Sequence, residues 1–124
     1  MITSLKDNQF FVFGSNLNGN HSGGAAKQAK EQFGAEEGIA EGLSGKTYAF
    51  PTLEREMTQR GIKALERSRD RLFATARALP EKEFLLTKVG CGIAGYEESE
   101  MKALFYGFSC GNRPKNIILP EDWQ

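Results

Sequence analysis

Apolar residues in this chain come in short bursts, some continuous and some at helical spacing, and the two kinds alternate. Residues 10–13, Phe-Phe-Val-Phe, form an aromatic and β-branched run that stops at Gly14 and reads as a buried strand. A loop follows to about Gly24, after which Ala25, Ala29 and Phe33 recur at i, i+4 and i+8. That spacing predicts a helix with a narrow small-residue face, ended by Gly34. Residues 38–46 hold three glycines and few large apolar groups, so they read as an exposed connection into a second strand over 47–50, closed by Pro51.

Over 57–79, Ile62, Leu65, Leu72, Phe73, Ala76 and Leu79 keep helical spacing, with Arg67, Arg69, Asp70 and Arg71 mostly on the solvated side and Pro80 as the stop. A third strand is expected over 84–89. Met101, Leu104, Phe105 and Phe108 at i, i+3, i+4 and i+7 mark another helix, and a short run over 116–119, ending at Pro120, supplies a last strand. Strand alternates with helix throughout. The expected fold class is therefore α/β, with a largely parallel sheet and helices packed on its faces.

Length and charge narrow the picture. A chain of 124 residues fits one domain spanning 1–124, without repeat, linker or low-complexity segment. Folding such a chain buries roughly two thirds of its unfolded surface. With 16 basic and 16 acidic residues the net charge is zero, so bulk charge draws it to neither nucleic acid nor an anionic membrane. Cys91 and Cys110 are too few for a disulfide scaffold and lack the spacing of a metal knuckle. No window approaches the roughly 20 apolar residues of a membrane span. These features predict a cytoplasmic protein with free thiols, no metal and no cofactor.

Two glycine-rich turns carry the candidate chemistry: FVFGSNLNGNHSGGAAKQA over residues 11–29 and VGCGIAGYEESE over 89–100. Each lies where a predicted strand gives way to a helix. Glycine there lets the backbone approach a ligand and aim several N–H groups at one point, which suits phosphate, although glycine is also the default residue of a tight corner. In open α/β sheets both turns fall at the carboxyl ends of strands, where ligands bind. Asn16, Asn18, Asn20 and His21 offer amides and an imidazole to ribose or phosphate, or simply make the turn. His21, the only histidine, is the general acid or base to test, with Asn16 beside it.

Other motifs carry less. Cys91 sits between two glycines where a helix N-terminus would favour a thiolate, but Glu97, Glu98 and Glu100 follow and oppose it, so a packed cysteine is the better reading. Gly45, Lys46 and Thr47 imitate the end of a P-loop, yet Ala40 replaces its leading glycine and the segment precedes a strand instead of opening a helix, which excludes an NTPase. Glu54, Arg55 and Glu56 read either as acid and base below Thr52 or as a solvated loop.

Three segments in order, FGSNLNGNHSGGAAKQAKEQFGA, YAFPTLE and LTKVGCGIAGYEESEMKALF, give the chain its family likeness. It resembles macrodomains, the ADP-ribose-binding modules, and most closely a small macrodomain-like group found in phages and bacteria. The resemblance implies a three-layer α/β/α domain whose two glycine loops enclose the ribose and diphosphate of an ADP-ribose-like ligand. The expected contacts are Gly14, Ser15, Asn16, Leu17, His21, Gly23 and Gly24 on the first loop and Thr52 in the middle segment. On the second loop they are Gly90, Cys91, Gly92, Ile93, Ala94, Gly95 and Tyr96, with backbone N–H groups on the phosphates and an aromatic over a ribose.

Hydrolytic macrodomains carry a lysine where this chain has Leu53, and some carry an aspartate where it has Ala94. Leucine forms no imine and alanine moves no proton, so cleavage here would need water positioned by Asn16, His21 or the ligand's own phosphate. The first expectation is a binder of ADP-ribose or a related nucleotide or phosphoribosyl ligand that holds it unaltered. An ADP-ribosyl hydrolase acting on modified protein or nucleic acid is the second. A protein-interaction module of a phage or mobile element, with no small ligand, is the third.

Overall fold

The computed structural model describes residues 2–106 and 113–124. In chain order its elements are β1 (Gln9–Asn16), α1 (Gly24–Phe33), β2 (Gly42–Ser44), β3 (Thr47–Leu53), α2 (Ile62–Ala78), β4 (Glu83–Leu86), α3 (Glu98–Phe105), β5 (Ile117–Ile118) and a final 3₁₀ turn, Glu121–Trp123. The strands form one mostly parallel sheet in the order β2-β3-β1-β4-β5, with β1 paired parallel to both β3 and β4, and β4 to β5.

Alternation along the central strand splits the core in two. Phe11 and Phe13 pack with Ala26, Ala29 and Phe33 of α1, and Phe11 meets the Phe33 ring at 4.9 Å between centroids. Val12 joins the larger cluster with Tyr48, Phe50 and Phe84, under Leu65, Leu72 and Phe73 of α2 and Met101, Leu104 and Phe105 of α3. So α1 covers one face, and α2 and α3 the other. The handedness of parallel crossovers requires this: the chain steps from β1 to β3 in one direction, then back across β1 to β4 and on to β5. The reversal leaves a gap at the carboxyl end of β1, where the first connection departs to one face and its neighbours' connections depart to the other.

Several expectations change. The connection over 38–46 contains a strand, because β2 pairs antiparallel with β3 from Gly42 opposite Ala49 to Ser44 opposite Thr47. Pro51 does not close β3, which continues to Leu53. Pairing with β2 has already ended at Ala49, so the missing proline N–H deprives no strand, and the Pro51 carbonyl accepts from Arg60 Nη1 at 3.0 Å. The helix expected from residue 57 begins at Ile62, because 54–60 fold back as a tight hairpin with Glu54 N donating to Thr58 O at 2.8 Å.

The strand expected to reach residue 89 stops at Leu86, where Thr87 turns the chain by donating through both N and Oγ1 to Val12 O. Ala26, not Ala25, supplies the first buried position of α1. Arg69, read as solvated, is 3% exposed, and its Nη1 donates to Leu104 O in the last turn of α3 at 3.1 Å, where a cation suits the helix end. Phe108 and Cys110 lie outside the described residues. Among the described residues no helix is long and apolar enough to cross a membrane.

Candidate functional site

At the carboxyl end of β1 lies a crevice of about 330 Å³, within the size range of small-molecule sites. Its floor is backbone. A side chain at Gly14 would place Cβ 3.3 Å from the amide nitrogen of Gly90, so the two glycine loops approach closely enough to leave little room for one. Gly90 has φ of 77°, and its own Cβ would lie 3.0 Å from Met101 and Tyr96. That residue closes the turn and packs it against α3.

One wall is the start of α1. Gly23 caps it in extended conformation without a side-chain bond, and Lys27 N is the first amide to reach back, to Gly23 O at 3.2 Å. The N–H groups of Gly24, Ala25 and Ala26 therefore have no partner in the helix, and all three residues line the crevice. The opposite wall is the second loop, shaped by Cys91 N to Lys88 O, Gly95 N to Gly92 O and Tyr96 N to Gly90 O. These bonds leave the N–H groups of Gly92, Ile93 and Ala94, all lining residues, without an internal acceptor among the described residues. Two sets of lining residues thus carry backbone donors without an internal partner, one of them at a helix N-terminus where the dipole favours an anion.

Of the residues expected from the sequence, Gly14, Ser15, Asn16, Gly23, Gly24, Thr52, Gly90, Gly92, Ile93 and Ala94 line the crevice together, whereas Leu17, His21, Cys91, Gly95 and Tyr96 do not. Asn16 shapes the first loop: its Oδ1 accepts from Asn20 N at 3.2 Å and its Nδ2 donates to Asn20 O at 3.0 Å. Thr52 Oγ1 donates to Ser15 O. His21 is 1% exposed, edge-on to Phe13 at 5.1 Å, with both ring nitrogens unpartnered. Its place is in the α1 side of the core, and its backbone N–H donates to Glu37. Tyr96 ties the second loop down, its hydroxyl shared between the carbonyls of Arg60 at 2.6 Å and Thr52 at 3.1 Å. Burial raises the Tyr96 pKa, and burial followed by the charge of Glu98 raises that of Cys91, which keeps the sulfur a thiol.

No carboxylate, imidazole or thiol lines the crevice among the described residues, and its one charged lining residue is Lys88. The Lys88 ammonium bonds Asp122 at 2.6 Å and Glu98 at 3.2 Å, which raises its pKa, and Glu98 also accepts from Trp123 Nε1 at 3.0 Å. This cluster fastens the final turn beneath the second loop. Comparison with known proteins returns no match: no family model, no curated protein and no solved structure. Beyond the expected contacts, Ser22, Ala25, Ala26, Met57, Thr87, Lys88 and Val89 also line the crevice. The helical spacing places Met57 in a helix, while Lys88 has one usable signal, its place two residues before Gly90.

Proposed function

We propose that the crevice binds ADP-ribose or a related nucleotide or phosphoribosyl ligand and holds it without altering it. The observation that carries this reading is that residues with unpartnered backbone N–H groups, at the start of α1 and at 92–94, line one crevice that has no lining carboxylate among the described residues. Such a site suits a diphosphate. The likeness of the three sequence segments to macrodomains supports the same ligand class. Helices on both faces of the sheet accord with a three-layer α/β/α arrangement of that kind.

Holding is favoured over cleavage by what faces the ligand. Asn16 uses its amide on Asn20, His21 is buried away from the lining, and Leu53 and Ala94 stand where hydrolytic macrodomains carry reactive groups. A thermal-shift screen over nucleotides and sugar phosphates tests the reading. A ligand at about a hundred times its dissociation constant adds about 2.7 kcal/mol to stability. ADP-ribose is expected to raise the melting temperature and to be recovered intact. A flat response across the screen would favour a protein-interaction module instead.

A further inference from the structure

Backbone donors suit phosphate and ribose, but among the described residues no Phe, Tyr or Trp lines the crevice to stack on a base. Tyr96 is fastened elsewhere through its hydroxyl. The larger apolar lining residues are Leu53 and Val89, buried in the wall, and Met57 and Ile93, which are 50% and 86% exposed. These last two expose apolar surface, Met57 with its Sδ 4.0 Å from Asn18 Nδ2.

Met57 is presented by an unusual turn. Its φ of 65° is the only positive value at a non-glycine residue among those described, in a region where glycine or asparagine sits with less strain. The hairpin is moored on both sides of the crevice: Asn18 Nδ2 donates to Arg55 O at 2.9 Å from the first loop, and Gln59 Nε2 donates to Ala94 O at 2.7 Å on the second. That second bond brings the hairpin alongside Ile93.

We infer that Met57 and Ile93 form an apolar jaw over the planar base of a bound nucleotide, with Met57 as a specificity-determining residue that favours base-bearing ligands over base-free sugar phosphates. A thioether is polarizable and unbranched and packs well on an aromatic face. The inference rests on the nucleotide-binding reading above.

The test titrates ADP-ribose and ribose 5-phosphate into the wild type, Met57→Asn and Met57→Leu, read by NMR shift perturbation so that millimolar constants are accessible. Asparagine tolerates the left-handed turn and removes the apolar cover; leucine keeps the cover. Met57→Asn is expected to weaken ADP-ribose on the order of tenfold while leaving ribose 5-phosphate within about twofold, and Met57→Leu to hold ADP-ribose within about threefold. Equal losses for both ligands, or undiminished ADP-ribose binding in Met57→Asn, would overturn the jaw alone. A wild type that binds neither ligand would overturn the nucleotide-binding reading and the jaw with it.

Discussion

Placing a carboxylate at the cap of α1 should move stability and binding in opposite directions. Gly23 is the N-cap, its backbone is extended, and an added Cβ would meet no atom within 4 Å, so Gly23→Asp fits without strain. The new side chain accepts from the amide of Ala25 or Ala26, a change worth a few tenths of a kcal/mol over glycine, and its charge gains about 0.3–1 kcal/mol from the helix dipole. Together these add about 0.5–1.5 kcal/mol, which raises Tm by roughly 2–7 °C. The same carboxylate removes one donor from the crevice and sets a negative charge roughly 5 Å from a bound phosphate. At effective dielectrics of about 20 to 80 this costs about 1–3 kcal/mol per ligand charge, or about 5- to 150-fold in affinity. Melting of the free protein and calorimetry with ADP-ribose read the two effects, with Gly23→Asn as the uncharged cap. If Gly23→Asp bound ADP-ribose as tightly as the wild type, the α1 amides would not be the phosphate site.

Other perturbations probe the parts that hold the loops. Gly90→Ala forces a side chain into the left-handed region and against Met101 and Tyr96, and should cost about 2–3 kcal/mol in chemical denaturation; an unchanged midpoint would refute the close packing of the second loop. Tyr96→Phe strips the hydroxyl from the Thr52 and Arg60 carbonyls and should cost about 1 kcal/mol while weakening ADP-ribose, since the tie between β3 and the second loop is lost. Glu98 is held below the usual carboxylate range by the Trp123 indole and Lys88, and Asp122 by Lys88. Their contribution is present above the unfolded carboxylate pKa and is lost as pH falls through the lowered folded values, so stability should decline below about pH 4.5. Emission from Trp123, the only tryptophan, reports that release, and Lys88→Met should reduce the acid dependence while the Trp123 bond to Glu98 keeps part of it.

Periodicity exposed the parts of the fold that depend on burial. Phe11 and Phe13 against Val12, and the stripe of Leu65, Leu72, Phe73 and Ala76, place the central strand and long helix because each face meets one core. What escaped was decided by partners distant in sequence. Pro51 looks like a strand end until β2 is seen to stop short of it, and Arg69 looks solvated until α3 offers the Leu104 carbonyl. The glycine loops were legible as ligand-facing corners because close backbone approach needs glycine. Side-chain direction was not: His21 and Tyr96 lie within those loops yet point to internal partners or into the core, whereas Met57 enters through a hairpin that leaves no periodic trace.

We propose an ADP-ribose-like ligand seated between the start of α1 and the second glycine loop. Backbone amide NMR during an ADP-ribose titration tests it most directly. Saturable shifts concentrated on Gly24, Ala25, Ala26, Gly92, Ile93 and Ala94 are expected. Amides that stay unmoved there, or shifts confined to another part of the surface, would contradict it.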